Sequence, residues 1–446
     1  MKFRWKGLFL LLVLCMFASS FSACKLLASL NSMMKTVSKT AYKPDPAPYT
    51  PFTPVAFEWE GIDHPELAWS TKWSEEVPAI VLDSPQLDEE GNMYWFAGIF
   101  KLFSLGADGE LRWTKKGYMG SFATCKEGMI LSPMFLQYLQ LRNYEDKVVW
   151  RSNHTASKTF FSPQGFLICH SYNSLYCLDA KKKLMWHFYI EEKPYDFFSL
   201  DRYFFDADSN GYYIFRAYQS KKGLKGPHDF MISLSPDGEL RWKKLLSDNE
   251  TFLNNFLPSE GSIVKDTFLL AYSGAVMNED MDGIYSAQRS LPKRIVAFNT
   301  LGDEVWSMEE TRGGILESSY LIGSDERFYY YFNENVPQED GYEIVSGHLI
   351  CYSKKGELVW DIAKKGSFES NILWDKNNHL YVSFCNHGEI YHAYAFYPDG
   401  KEKWQMPLES PSLGFGHNLL RGPQNSFYIF HDMVATVDCI VEAKAD

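Results

Sequence analysis

Short runs of apolar residues recur along the chain, and each is followed by a polar turn and a second stretch that ends in tryptophan. In LICYS, residues 349–353, and IVAFN, residues 295–299, apolar side chains occupy consecutive positions instead of every third or fourth. Runs of this length are typical of strands whose two faces are both buried. The glycine of the turn adopts positive φ at little cost. The pattern predicts short antiparallel strands joined by tight turns.

The string DGELRW occurs twice, at residues 108–113 and 237–242, and it belongs to a longer repeat. Most units have a large apolar residue eight positions before the tryptophan, a small residue nine before it and a glycine four before it. A unit of about forty residues that recurs in this way is typical of a propeller or another repeat array. Eight tryptophans mark the units and are predicted to pack between blades: Trp69, Trp113, Trp150, Trp186, Trp242, Trp306, Trp360 and Trp404.

Most units are preceded by a further strand that follows a turn of its own, as in SPQGFLICH, residues 162–170. We predict four short strands in each unit. Sheets that are buried on both faces pack against one another radially. The sequence therefore predicts an all-β fold, an eight-bladed β-propeller of four-stranded antiparallel blades, with seven blades as the alternative. No tryptophan strand follows Trp404, whereas HPELAW, residues 64–69, has no blade before it. We expect the strand around Leu67 to Trp73 to complete the last blade.

The N-terminus has the layout of an export signal. Three cationic residues precede an apolar run that is too short to span a bilayer, and small residues precede Cys24. Phe21-Ser22-Ala23-Cys24 resembles a bacterial lipobox, with Phe21 where that motif usually has leucine. The resemblance implies a signal peptide over residues 1–23 and lipidation of Cys24; ordinary secretion with cleavage nearby is the alternative.

The segment after Cys24 is rich in proline and poor in aliphatic residues between positions 44 and 54, which favours an extended spacer over a packed element. We therefore predict a tether over residues 24–60 and a propeller domain over residues 61–446. Removal of residues 1–23 takes away three positive charges and no acids, so the formal net charge goes from −12 to −15. So acidic a surface argues against nucleic acid as a partner.

The repeat, large-x-x-D-G-x-x-x-W, resembles that of the quinoprotein-like (PQQ-like repeat) β-propellers. That group includes quinone-dependent alcohol dehydrogenases and the lipoprotein propeller of the bacterial outer-membrane assembly machinery. The resemblance covers roughly residues 66–440 and implies a propeller fold. The dehydrogenases carry adjacent cysteines against their cofactor, and this sequence has no Cys-Cys pair.

Candidate chemistry is sparse. The sequence has no CxxC pair, HExxH helix, phosphate loop or GxSxG elbow. DADSNG, residues 206–211, and NEDMDG, residues 278–283, each resemble the first half of a calcium loop, but the bidentate glutamate that completes such a loop is missing. Calcium thus remains possible at Asn278, Asp280 and Asp282, while DADSNG fits an ordinary turn between strands. His387 and His392 fit loop or surface histidines better than metal ligands.

Six cysteines remain after Cys15 and Cys24 are set aside. Cys177 and Cys351 occupy the small-residue position of the repeat and are predicted to be buried fillers. Cys169 and Cys177 flank a hairpin turn about Asn173, and a disulfide between them is left open.

Three classes of function are compatible with these features. The first is a lipid-anchored, non-catalytic propeller of the bacterial cell envelope that binds a protein partner, and it is favoured because no catalytic group is evident. The second is a quinone-dependent, dehydrogenase-like cofactor protein. The third is a carbohydrate- or peptide-binding propeller in which aromatic residues such as Trp95 or Trp374 stack on the ligand. No cofactor is expected under the first class, and the partner, the membrane leaflet and the working face stay open.

Overall fold

The structure is a computed structural model, and eight β-sheets arranged as blades account for its strands. It describes residues 44–72, 85–97, 101–116, 120–133, 138–192, 195, 197–218, 228–247, 263–264, 266–277, 287–310, 320–322, 325–338, 341–385, 391–408, 417–431 and 436–444. Within these residues every blade is an antiparallel sheet of four strand positions. The prediction of an all-β, eight-bladed propeller is confirmed.

The strands are numbered along the chain, and β1 (Pro65–Lys72) belongs to the last blade. Blade 1 contains β2 (Gln86–Leu87), β3 (Met93–Ala97), β4 (Lys101–Leu105) and β5 (Leu111–Lys116). Blade 2 contains β6 (Gly120–Cys125), β7 (Gly128–Pro133), β8 (Leu139–Arg142) and β9 (Val148–Ser152). Blade 3 contains β10 (Lys158–Phe161), β11 (Leu167–Ser171), β12 (Ser174–Leu178) and β13 (Leu184–Tyr189). Blade 4 contains β14 (Phe197–Phe205), β15 (Gly211–Tyr218), β16 (His228–Leu234) and β17 (Leu240–Ser247).

The second half of the ring follows the same plan. Blade 5 contains β18 (Ile263–Val264), β19 (Thr267–Met277), β20 (Ala287–Asn299) and β21 (Glu304–Glu310). Blade 6 contains β22 (Tyr320–Ile322), β23 (Phe328–Gln338), β24 (Gly341–Tyr352) and β25 (Leu358–Lys364). In blade 7 the inner position is shared by β26 (Ser367–Phe368) and β27 (Leu373–Trp374), followed by β28 (Leu380–Cys385), β29 (Tyr391–Phe396) and β30 (Glu402–Pro407). Blade 8 contains β31 (His417–Arg421), β32 (Phe427–His431), β33 (Thr436–Glu442) and β1.

The disc has two different faces. Within each blade, the first strand turns into the second, and the third into the fourth, on one face of the disc. This face, formed in blade 1 by residues 88–91 and 106–110, is named the turn face. On the opposite face, named the loop face, the second strand leads into the third and each blade leads into the next, as at the junction β3–β4 within blade 1 and the junction β5–β6 between blades 1 and 2.

The repeat has a simple steric basis within each blade. The tryptophan of the outer strand lies directly opposite the small residue of the third strand, where cross-strand side chains are closest. The pairs are Ser104–Trp113, Cys177–Trp186, Ser233–Trp242, Ala297–Trp306, Cys351–Trp360 and Ala395–Trp404. In blade 2 a leucine, Leu141, stands opposite Trp150.

Between blades, the tryptophan lies over the turn of the next blade. A Cβ added to Gly238 would lie 2.5 Å from the Trp186 ring, so only glycine lets the two approach. The indole Nε1–H then donates to a carbonyl two residues before the glycine, as Trp186 does to Pro236 O at 2.9 Å. The same bond joins Trp69 to Ala107, Trp242 to Thr300, Trp306 to Lys354 and Trp360 to Pro398.

Two tryptophans depart from this arrangement. Trp113 and Trp150 face turns in which Asp146 and Lys182, both at φ 66°, replace the glycine. Among the described residues neither indole N–H has a hydrogen-bond partner. The side chain at the turn therefore removes the bond that glycine permits.

The ring closes through its N-terminal strand. β1 pairs antiparallel with β33, and Trp69 lies opposite Cys439. The prediction that the strand near Leu67 completes the last blade is confirmed, although Trp73 lies outside the described residues. Trp404 donates to Ile62 O at 2.8 Å, so the residues just before β1 also replace the turn that another blade would supply.

Residues 44–64, named the belt, lie against the turn face. Thr50 O accepts from Ala180 N in blade 3, and Thr53 O accepts from Lys126 N in blade 2, both at 2.8 Å. Phe52 is 3% exposed and packs in the core between those two blades.

Further along, the belt reaches blades 1, 8 and 7. Phe57 contacts the core between blades 1 and 8, and the Trp59 ring lies 4.5 Å from the Tyr381 ring of blade 7. The spacer predicted for residues 24–60 is therefore corrected for residues 44–60, which are extended but packed. Prolines favour the extended path, while the aromatic residues among them bury apolar area against the blades.

The hydrophobic core consists of layers between neighbouring blades. One cluster joins blades 4, 5 and 6 through residues such as Tyr212, Phe268 and Ile350. Another joins blades 7 and 8, and a third joins blades 1 and 8 across the point of closure. No blade has a core of its own in the part of the chain described, so each depends on its neighbours.

Candidate functional site

The arginine of DGELRW belongs to a polar group that recurs on the turn face. In blade 1, Tyr94 donates its hydroxyl to Asp88 Oδ2 at 2.7 Å, and Arg112 Nη1 donates to the Tyr94 hydroxyl at 2.6 Å. Blade 4 repeats the group with Asp206, Tyr212 and Arg241. Burial raises the pKa of Tyr212 to about 12, so its hydroxyl keeps the proton that it donates. The group joins the first turn of a blade to its outer strand and has a structural role.

Blade 7 carries an altered version of this group. Asp375 Oδ2 accepts from the Tyr381 hydroxyl at 2.9 Å and lies 2.7 Å from His379 Nδ1. Lys403 replaces the arginine, and its ammonium lies 3.2 Å from His379 Nδ1 and 2.6 Å from Asp63 Oδ1 of the belt. The Lys403 side chain is only 5% exposed. Its hydrogen bond and charge lower the pKa of the Asp63 carboxyl, so Asp63 stays ionised at neutral pH.

An open groove lies where the belt meets blade 7. Its volume is about 730 Å³, and its lining includes Asp63, His64, Tyr397, Lys403 and Trp404. The Asp63 carboxylate and the 41% exposed Tyr397 ring face solvent here. The groove is open to solvent and presents a carboxylate and an aromatic ring at its surface.

Among the described residues, the longest hairpins of the loop face belong to blades 5 and 6. β23 and β24 have 11 and 12 residues, whereas the corresponding strands of blade 7 have 6 each. At about 3.3 Å per residue, the extra length extends the hairpin by about 17 Å. β19 and β20 of blade 5, with 11 and 13 residues, form a second long hairpin beside it. The long units between Trp186 and Trp360 thus include two extended hairpins on this face.

A polar group on blade 6 is one that the sequence reading missed. His348 Nδ1 lies 2.9 Å from Asp361 Oδ1, and its Nε2 lies 3.1 Å from Ser346 Oγ. The Ser346 hydroxyl donates to Glu334 Oε2 at 2.9 Å, so its proton is directed away from the histidine. That direction does not suit a serine nucleophile, which must give its proton to the base. The group connects three strands near the base of the hairpin. The S-x-H spacing on one strand was the only signal in the sequence.

The described cysteines are buried free thiols. Burial raises the pKa of Cys351 to about 12 and of Cys385 to about 11, so neither is a thiolate at neutral pH. Cys169 lies opposite Tyr176, and Cys177 lies opposite Ile168, so the two sulfurs face different core layers. The disulfide left open between them is therefore excluded. The hairpin turn consists of residues 172 and 173. To place Cys169 directly opposite Cys177, the pairing of the two strands would have to shift by one residue.

The structure also places several other residues that the sequence analysis singled out. Trp95 is 0% exposed, so the idea that it stacks on a ligand is wrong, and the Trp374 ring is covered by the Arg421 guanidinium at 4.4 Å. In DADSNG, the Asp206 carboxylate accepts from Asn210 of its own turn and from Tyr212 of β15. The residues that lie outside the described part of the chain are Cys24, His387 and the calcium candidates Asn278, Asp280 and Asp282.

Two kinds of feature are absent from the described residues. They include no helix with the length and hydropathy of a membrane span. They also include no cluster of three or more histidine, cysteine, aspartate or glutamate side chains arranged to hold a metal ion.

Comparison with known proteins gives structural neighbours only. The chain matches no known family, and no curated protein matches it. BamB from Moraxella catarrhalis aligns with a TM-score of 0.48 at 9% identity, covering 84% of this chain and 99% of that chain. The Dos1 propeller aligns with a TM-score of 0.46 at 8% identity, covering 88% and 95% of the two chains. The Pan2 WD40 domain of Neurospora crassa gives 0.42 at 8% identity, covering 87% and 98%. These similarities concern the propeller fold alone.

Proposed function

We propose that the protein is a lipid-anchored, non-catalytic propeller that binds a protein partner in the bacterial cell envelope. The observation that carries the proposal is the difference between the two faces of the disc. The belt occupies much of the turn face and leads back towards the N-terminus, whereas the loop face bears the two long hairpins of blades 5 and 6. A rigid scaffold that presents projecting elements on one face is suited to partner binding.

The charge supports the same proposal. The formal net charge of the whole chain is −12, and the three cations of the signal-like segment account for part of the positive total. An acidic surface accelerates encounter with basic surfaces of a partner and disfavours nucleic acid. The partner we propose therefore carries a basic surface.

The lipid anchor can be tested at Cys24. The parent protein is expected in the membrane fraction, and mass spectrometry of its mature N-terminus should find a diacyl group on Cys24. Cys24→Ala should move the protein to the soluble fraction. A mature N-terminus at another residue would contradict the anchor.

The partner can be tested with a shortened hairpin. Replacing residues 335–345 by Asn-Gly joins Glu334 to Ser346, which already face each other across β23 and β24, by a two-residue turn. In native envelopes, chemical crosslinking should recover one reproducible partner with the parent and lose it with the shortened protein. An equal melting temperature of the two proteins serves as the control for folding.

The quinone-dependent alternative is tested on the same preparations. Purified protein is mixed with quinone and calcium, then scored for a bound chromophore and for dye-coupled alcohol oxidation. We expect neither. Stoichiometric quinone uptake with turnover would overturn the non-catalytic proposal.

A further inference from the structure

Three polar side chains converge at the base of the blade-6 hairpin, on the side of the sheet that faces blade 5. Ser346 and His348 are two residues apart on β24, so their side chains lie on the same face, and Glu334 of β23 stands opposite Ser346. Phe332 stands opposite His348 on this face and packs in the core that blade 6 shares with blades 4 and 5. The three polar side chains therefore lie where blades 5 and 6 meet.

The three polar atoms form a triangle of the size that a small metal ion requires. Ser346 Oγ lies 2.9 Å from Glu334 Oε2 and 3.1 Å from His348 Nε2, and Glu334 Oε2 lies 3.6 Å from His348 Nε2. Zinc binds nitrogen and oxygen at about 2.0–2.1 Å in a tetrahedron, which separates its ligand atoms by about 3.3 Å. The observed distances lie on either side of that value. One ion over the triangle would be within reach of all three atoms.

Each of the three atoms can offer a lone pair to a cation. Asp361 Oδ1 lies 2.9 Å from His348 Nδ1, and because a carboxylate only accepts, this nitrogen carries the proton and Nε2 of the neutral ring presents its lone pair. The Ser346 hydroxyl gives its one proton to Glu334, so it cannot also donate to Nε2. An imidazole nitrogen, a carboxylate oxygen and a hydroxyl oxygen form a donor set that suits a divalent transition metal such as zinc.

The imidazole is held as metal-binding histidines are held. The His348 ring stacks on the Phe332 ring, with centroids 4.9 Å apart and planes 3° apart, and the residue is only 9% exposed. A carboxylate on the far nitrogen, here that of Asp361, is the usual partner that orients a histidine towards its metal. The Glu334 side chain is 37% exposed, so an ion can enter from its side.

We propose that Glu334, Ser346 and His348 bind one divalent transition-metal ion of the zinc class, and that Asp361 is a positioning residue for the imidazole. Asp361 lies behind the ring, so the ion meets only two side chains of the types that usually bind metals, with the serine as third ligand and water completing its coordination. The inference goes beyond the proposed function, since it requires neither the anchor nor a partner. The competing occupant of the triangle is a proton on His348 Nε2, which would make the ring an imidazolium between two carboxylates.

The test uses the purified protein without a polyhistidine tag, after removal of metal by a chelator. Titration calorimetry with zinc chloride should show one ion bound per chain. The melting temperature should rise with zinc concentration, because the ion binds the folded state. Cobalt(II) should give visible absorption bands that report its coordination, which zinc, being colourless, cannot do.

Three variants test the roles of the residues. His348→Gln should abolish zinc binding and the cobalt bands. Glu334→Gln changes a partly exposed side chain, so it leaves the core intact, and it should weaken binding at least tenfold. Asp361→Asn should weaken zinc binding by about 10–100-fold and shift the cobalt bands, because the carboxylate no longer fixes the proton on His348 Nδ1. A purely structural role of Asp361 would leave the cobalt bands in place.

Blade 7 supplies a matched control. His379 Nδ1 lies 2.7 Å from Asp375 in a similar pair, but the Lys403 ammonium, 3.2 Å from the same nitrogen, is already the cation beside that ring. His379→Gln should therefore leave zinc binding and the cobalt bands unchanged. Equal zinc binding by the parent, His348→Gln and Glu334→Gln would show adventitious surface binding and overturn the proposal. A parent protein that binds no zinc would also overturn it, in favour of the proton.

Discussion

The absence of a side chain at one turn position sets how closely neighbouring blades approach. Glycine at this position has φ near +80° in blades 1, 4, 5, 6 and 7, and each time the tryptophan of the preceding blade lies against it. Because this geometry repeats from blade to blade, the string DGELRW contains glycine and tryptophan at a fixed spacing. The arginine between them has a different partner, the tyrosine of its own blade.

The loss of stability on replacing this glycine is expected to differ between blades. An added Cβ would lie 2.5 Å from the Trp186 ring at Gly238 but 3.1 Å from the Trp242 ring at Gly302. Gly238→Ala should therefore lower the free energy of unfolding by about 2–3 kcal/mol, and Gly302→Ala by about 1 kcal/mol, since both also pay for positive φ. Urea titration measures the two values. Equal losses would contradict the steric explanation.

His170 makes the stability depend on pH. It is 3% exposed, and burial lowers its pKa to about 4, against about 6.5 in an unfolded chain. Below pH 6.5 the unfolded chain therefore binds the proton first, and stability is lost as the pH falls towards 4. The loss from this residue is about 3 kcal/mol at about 1.4 kcal/mol per pKa unit.

Urea titrations between pH 7 and pH 4 measure this effect. His170→Gln should lower stability at pH 7, where it disturbs the contact with Ser157, but should reduce the pH slope below 6.5. A slope equal to that of the parent would show that other groups cause the acid sensitivity.

Strands and turns were predictable because their signal is local. The strand–turn–strand units follow from runs of apolar residues, glycine and tryptophan. The closing strand follows from a tryptophan, at residue 69, that has no blade of its own before it in the sequence. The belt was not predictable. Its prolines give the same extended conformation to a packed segment and to a free one, and only the burial of Phe52 and Trp59 distinguishes the two. The polar group of His348 joins residues from three strands, so no single stretch of sequence contains it.

The closing strand and the belt should differ in their contribution to stability. Deleting residues 62–73 removes the outer strand of blade 8 and should lower the melting temperature in one cooperative transition. Phe52→Ala removes one buried ring of the belt and should cost about 3 kcal/mol without changing cooperativity. Calorimetry distinguishes the two. An unchanged melt after the deletion would contradict the role of β1.

The molecule as a whole is expected to unfold as one unit. Core clusters join blades 4 to 6, 6 to 7, and 8 to 1, so interfaces and not blades are the units of stability. A fragment of residues 263–446 would expose two such interfaces. It should therefore show no cooperative transition in calorimetry at temperatures where the parent has one. A fragment that melts cooperatively would mean that half of the ring is self-sufficient.

Closure by β1 also fixes the order in which the strands of the ring can pair during folding. Trp69 lies opposite Cys439, so β1 cannot pair until synthesis has reached β33. Until then the outer position of blade 8 is unfilled, and β1 is an unpaired strand that can pair wrongly with another chain. Ring closure is also a contact of very high sequence separation, which makes it slow. During folding the protein therefore passes through a long interval as an open ring, and that interval is when it most needs a chaperone.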